Sequence, residues 1–167
     1  MRIPKENLTH GFIAEILDLF QVNSMTSDNN LVLVRGNYHS TIHLNKDEDF
    51  IEFISTLEVK DFEKIYLSFL EFIMKSHNRD FDIDFDDYPN KNGCNDLTFL
   101  FKYDLRNKSH IEDIEILNLH NLFESLLYKA NHMCREIVLI KRENLINHKE
   151  EKLIKDINKL ERIYKNK

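Results

Sequence analysis

The carboxylates of Asp80, Asp82, Asp84 and Asp86 occupy every second position of "RDFDIDFDDYPN", residues 79–90, with Phe81, Ile83 and Phe85 between them. Oxygen ligands at positions 1, 3 and 5 are what a calcium loop offers, but that loop also needs Gly at position 6 and a bidentate Glu at position 12. Counted from Asp80, those positions are Phe85 and Lys91; counted from Asp82, they are Asp87 and Gly93. Both frames fail. A period of two with apolar residues in the gaps is the pattern of a half-buried strand whose carboxylates line the wet face. The row is therefore assigned no metal. It reads as a solvated strand face, open to a docking role toward a basic partner.

The other chemical candidates are weaker. His39 and His43 are four residues apart, a spacing that converges on one ion from a helix. The segment around them, "LVLVRGNYHSTIHL", reads as strand, where four residues span about 13 Å. His132 and Cys134 make a poorer pair, because Cys134 sits at an apolar helical position and reads as core. Phosphate loops need clustered glycines so that the backbone can approach the anion. Here the three glycines, Gly11, Gly36 and Gly93, stand isolated. There is no G-x-S-x-G elbow either. The sequence assigns no catalytic residue and no cofactor, and the chain reads as a non-enzyme, with catalysis by residues scattered along the sequence as the rival.

Composition narrows the partners. The chain has 167 residues, 42% of them apolar, enough to build the core of one domain. Net charge is -6 and unevenly spread: residues 141–167 sum to +4 and residues 1–140 to -10. An acidic body disfavours broad contact with nucleic acid or anionic membrane, since phosphate binding needs cations. The basic segment "LIKRENLINHKEEKLIKDINKLERIYKNK" interleaves acids with its lysines and offers no aromatic series on which bases could stack. It reads as a solvated helix with i,i+4 pairs such as Glu151–Lys155. Two cysteines make no disulfide framework, the start "MRIPKENLTHGF" lacks a signal-peptide run, and no apolar stretch reaches the length of a membrane span. The expectation is a cytoplasmic protein with reduced thiols.

The elements that must position these residues follow from periodicity. "NLTHGFIAEILDLFQ" places Phe12, Ile13, Ile16, Leu17 and Phe20 at helical spacing, with Asn7 or Thr9 at its cap. "VNSMTSDNN" reads as loop, and "LVLVRGNYHSTIHL" as a hairpin turning at Gly36-Asn37. Residues 51–59 admit either a short helix on Phe50, Ile51, Ile54 and Leu57 or a strand; the reading leans to helix. "DFEKIYLSFLEFIMKSH" is a helix capped by Asp61, with Phe62, Ile65, Tyr66, Phe69, Leu70 and Ile73 on its apolar face. The acidic segment and "NDLTFLFKYDLRN" form a second hairpin. Pairing Tyr88 with Asp96 would set Asp82 opposite Lys102.

The remainder is helical. "SHIE" at 109–112 has capping-box spacing, and Leu122, Phe123, Leu126, Leu127, Ala130, Met133, Cys134 and Ile137 mark the buried side. Beyond it, Ile146, Leu153, Ile157, Leu160 and Tyr164 form an apolar stripe assigned to self-association as a homodimer. The expected fold is α+β: an antiparallel sheet from two hairpins packed against helices, with a long C-terminal helix. The expected division is an α+β domain over 1–145 and a helical extension over 146–167.

This order of elements resembles that of class I type III secretion chaperones and the related YbjN-type domains. The matching pieces are "FIAEILDLF", "LVLVRGNYHSTIHL", "FEKIYLSFLEFIMK", "LTFLFKYDL" and "LHNLFESLLYKANHM", covering residues 7–140 in outline. The resemblance implies a small acidic homodimer that binds an extended segment of a partner protein, with no catalytic residues. The functional expectation is a protein-binding module: chaperone, adaptor or inhibitor. The alternative is a nucleic-acid-related protein, binding through its basic terminal helix or blocking a nucleic-acid enzyme with its acidic face.

Overall fold

Wherever apolar residues alternate at period two, the chain is extended. The computed structural model describes residues 1–27, 31–86, 88–147, 157–160 and 162, with backbone alone for 144–147. In chain order the elements are β1 (Arg2–Pro4), α1 (His10–Leu19), β2 (Ser24–Thr26), β3 (Val32–Arg35), β4 (His39–Asn45), β5 (Phe50–Lys60), α2 (Leu67–His77), β6 (Phe81–Phe85), β7 (Cys94–Asp104), β8 (His110–Glu112) and α3 (Asp113–Asn147). The fold is α+β. A six-stranded antiparallel sheet runs in the order β2-β3-β4-β5-β7-β6, and β1 pairs with β8 in a two-stranded sheet.

The chain divides into two compact units, Met1–Thr56 with Thr98–Leu127, and Leu57–Leu97 with Tyr128–Lys167. In the first, α1 lies against β2, β3 and β4. It buries Ile13, Ile16 and Leu17, as the sequence periodicity predicts, while Phe20 stays exposed. Val32, Val34, Ile42, Leu44, Ile51 and Phe53 fill the same core from the sheet. Phe53 meets Phe101 and Phe123, with ring centroids 5.6 and 5.7 Å away. In the second unit, α2 contacts β6, and Leu70, Ile73, Met74, Phe81 and Ile83 are buried. The ring of Phe62 packs against Tyr66 at 6.1 Å and Phe85 at 5.8 Å.

Both ends of α1 are locally encoded. The Thr9 hydroxyl accepts the Phe12 N–H at 3.1 Å, an N-cap. At the other end the Gln21 N–H donates to the Asp18 carbonyl and the Val22 N–H to the Leu17 carbonyl, each at 2.9 Å. This is a Schellman closure, and its left-handed residue is Gln21, with φ of 62°. A Cβ in that region costs about 1–2 kcal/mol, part of which glycine returns as unfolded-state entropy. Gln21→Gly is expected to raise stability by about 0.5–1 kcal/mol in urea denaturation, and an unchanged midpoint would refute that expectation.

Four sequence expectations are corrected. Residues 51–59 form strand β5, not a helix; Ile51, Phe53, Ser55 and Val59 are its buried positions. The expected loop after α1 contains β2, an edge strand paired with β3. Asp61 does not cap α2, which begins at Leu67 after a 3-10 turn and has no side-chain cap; Ile65 is 77% exposed. Asp61 instead adopts φ of 63° and accepts the Arg142 guanidinium at 2.8 Å. Finally, "SHIE" is not a capping box at the start of a helix. Its last three residues are β8, held in register with Arg2, Ile3 and Pro4. Helix α3 starts just after it, where the Glu115 carboxylate reaches back to the Glu112 N–H at 3.4 Å.

The long helix itself agrees with its periodicity, except that Leu122 is 40% exposed. In the tail, Ile157 and Leu160 are helical and half-buried. The Ile146 side chain, Leu153 and Tyr164 lie outside the described residues.

Candidate functional site

The acidic row occupies β6, the edge strand of the sheet. Phe81 and Ile83 are buried, while Asp80, Asp82, Asp84 and Asp86 are exposed. This is the solvated strand face that the alternation predicts. The register differs from the expected one by two residues: the Asp86 N–H donates to the Asp96 carbonyl at 3.0 Å, so Asp86 and not Tyr88 stands opposite Asp96. A shift of two keeps every side chain on its face but changes the cross-strand neighbours. Asp82 pairs with Lys75 of α2 at 2.7 Å, not with Lys102. Lys102 pairs with Glu52 at 3.3 Å and lies over the Phe50 ring.

Asp84 and Asp86 turn partly inward on the backbone, accepting the N–H groups of Phe85 and Tyr88, both at 2.9 Å. Aspartates two apart on a strand stand about 6.7 Å from each other, which in water gives roughly 0.6 kcal/mol of repulsion per pair before screening. Asp84→Asn is therefore expected to leave the fold intact and to stabilise it by up to about 0.5 kcal/mol at low salt, a gain that disappears in molar salt. Calcium should not raise the melting temperature of the wild type. A clear rise would restore the metal reading.

The open face of the sheet in the first unit was not singled out from sequence. Leu33, Thr41 and Ile54 stand side by side on β3, β4 and β5. One strand step away in the same direction, Arg35 faces His39. Between these rungs lies the row Val34, Ser40 and Ser55, which turns to the opposite, buried side. A cavity of about 650 Å³ lies over these three strand segments, Leu33–Arg35, His39–Thr41 and Ile54–Thr56. The Thr56 and Thr98 hydroxyls are 3.2 Å apart, which carries the polar rung on to β7.

His39 and His43 share a face of β4, as an i,i+4 pair on a strand must. His43 stacks instead on His10, centroids 5.7 Å apart, and the His10 Nε2 accepts the Leu44 N–H at 2.9 Å. Burial, then His43 and Lys46, hold the His10 imidazole below its ordinary pKa. Among the described residues, no three His, Cys, Asp or Glu side chains gather as a metal site.

Buried polar groups complete the inventory. Among the described residues, Ser40 Oγ, His120 Nδ1 and Glu124 Oε1 are each buried without a hydrogen-bond partner. Serine, histidine and glutamate are the residue types of a nucleophilic triad, but such a triad works through direct Ser–His and His–acid bonds, and these atoms make none. Burial pushes the Glu124 carboxyl up, against the Tyr38 backbone N–H that it accepts, and burial pushes His120 down. Cys134 is buried, and its thiol is pushed up to about 12, the behaviour of a core residue and not of a nucleophile.

No family model and no curated protein matches the chain. Solved structures do match in fold. YbjN from E. coli superposes with a TM-score of 0.54 at 10% identity, over 72% of this chain and 86% of that one. A chain of the HopA1–SchA chaperone–effector complex gives 0.51 at 13% identity, over 73% and 89%. An uncharacterized protein from Methanothermobacter thermautotrophicus gives 0.53 at 11% identity, over 77% and 98%. The likeness to a YbjN-type and type III chaperone fold, expected from the order of elements, is thus a likeness of architecture. Among the described residues, no helix is long and apolar enough to cross a membrane.

Proposed function

We propose that this chain is a protein-binding module of the cytoplasm, a chaperone, adaptor or inhibitor that holds a segment of another protein. The observation that carries the reading is the open sheet face. Antiparallel sheets with one face packed usually present polar side chains on the other. Here two aliphatic side chains, Leu33 and Ile54, are partly exposed, beside an exposed Arg35, under a cavity of about 650 Å³. The fold shared with a chain of a chaperone–effector complex supports the same class. Asp80, Asp82, Asp84 and Asp86 offer a second surface, suited to a basic stretch of a partner and too polar to need covering.

The test is capture by the tagged full-length chain in its native host, followed by reconstitution of a binary complex from purified proteins. A one-to-one or two-to-one complex that survives gel filtration is expected. Recovery of this chain alone, with no partner that rebinds when purified, would remove the reading.

A further inference from the structure

We propose that the trough on the open sheet face selects an extended partner segment in which an aspartate or glutamate lies two residues from an aliphatic side chain. The proposal rests on the protein-binding reading and adds the chemistry of the segment.

The two rungs of the trough differ in character. Leu33, Thr41 and Ile54 make one; Arg35, His39 and Thr56 make the other. They are two residues apart along each strand, about 6.7 Å. An extended segment lying along the strands repeats its same-side residues at that spacing, so one residue can rest on the aliphatic rung while the residue two positions away meets the polar rung. Neighbouring residues cannot do this, because they point to opposite sides.

Charge selects the second residue. Arg35 is exposed and makes no ion pair among the described residues, in a protein whose net charge is -6. Guanidinium–carboxylate pairing gives strong, geometrically specific hydrogen bonds. The hydroxyl of Thr56 and the imidazole of His39 add donors on the same rung. A lysine or arginine in the segment would be repelled there.

The aliphatic rung extends beyond the trough. Met25 stands opposite Leu33 on β2 and is 49% exposed. An aliphatic side chain anchored on Leu33 therefore has Met25 beside it as a further apolar contact.

Random peptides displayed on phage and selected against the full-length protein test the idea directly. Enrichment of an acid at one position and Leu, Ile or Val two positions away is expected. Arg35→Glu should invert the acid preference toward Lys or Arg and weaken the selected wild-type peptide about tenfold or more. Ile54→Ser should relax the aliphatic preference alone. Both variants alter exposed or half-exposed positions, and a melting curve verifies that each is folded. No enriched pattern, a pattern unchanged by Arg35→Glu, or a change of oligomeric state in that variant, which would mark the face as a contact with a second copy, each overturns the proposal. The two readings fail separately. A captured partner that binds Arg35→Glu and Ile54→Ser at full strength leaves the module standing and removes the trough.

Discussion

Phe53→Ala is expected to destabilise the protein by about 3–5 kcal/mol, the range for emptying an aromatic site in a packed core. Phe53 is fully buried. Its ring touches Phe101 at 34° and Phe123 at 46°, with centroids 5.6 and 5.7 Å away. Phe101 and Phe123 are themselves 6.4 Å apart. Alanine therefore removes the shared member of two aromatic contacts, each worth about 0.5–1.5 kcal/mol beyond the area it buries. It also leaves a cavity between two sheet strands and α3 that rigid aromatic neighbours fill poorly. Against a typical domain stability of about 5–15 kcal/mol, the loss would lower the melting temperature by on the order of 10 °C. Leu19→Ala is the control, since Leu19 is 73% exposed, and should change stability by less than about 0.5 kcal/mol. Equal effects from the two substitutions would show that the aromatic cluster is not the core of the first unit.

The same residue shows where sequence reading ran short. In "EDFIEFISTLEV" the apolar set Phe50, Ile51, Ile54 and Leu57 fits a helix, and on that reading Phe53 falls outside the apolar face. The strand pattern is Ile51, Phe53, Ser55, Leu57 and Val59, and a serine in the middle breaks its apolar run. Ser55 is buried because its hydroxyl donates to the His39 carbonyl at 2.8 Å, a partner on the neighbouring strand that no local rule reveals. The "SHIE" misreading has the same cause: β8 exists because β1, more than a hundred residues earlier, pairs with it. Elements whose own periodicity is unbroken, α1, β3, β4, β6, β7 and α3, were legible. So was the solvated character of the aspartate row, which needs only the period of two. The trough was not, because Leu33, Thr41 and Ile54 become neighbours only through strand register. The available signal was faint: each is the out-of-phase residue of a strand whose other positions are buried, and two of the three are aliphatic.

The terminal helical segment carries the other large expected effect. Full-length protein at micromolar concentration is expected to be a dimer, and Ile157→Glu combined with Leu160→Glu is expected to make it monomeric. The sequence stripe Ile146, Leu153, Ile157, Leu160 and Tyr164 follows helical spacing, and the described part of it, Ile157 and Leu160, is half-buried in the single chain while Asn158, Lys159 and Arg162 are exposed. At most about a third of each side chain thus remains for a partner. Complete burial of a large aliphatic side chain gives about 1.5–3 kcal/mol relative to exposure. In a symmetric dimer every position counts twice, so covering the exposed third of each side chain would contribute roughly 2–4 kcal/mol, about one to three decades in the dissociation constant. Glutamate at both positions removes that gain and adds the cost of desolvating carboxylates. Lys159→Gln, at an exposed position of the same turn, should leave the dimer intact. Light scattering on the three proteins distinguishes the outcomes. A monomeric wild type would mean that the tail covers only its own chain, and the proposed boundary after residue 145 would then fall with it. If the boundary is right, a 1–145 fragment keeps the circular dichroism of a folded α+β protein and loses only the association.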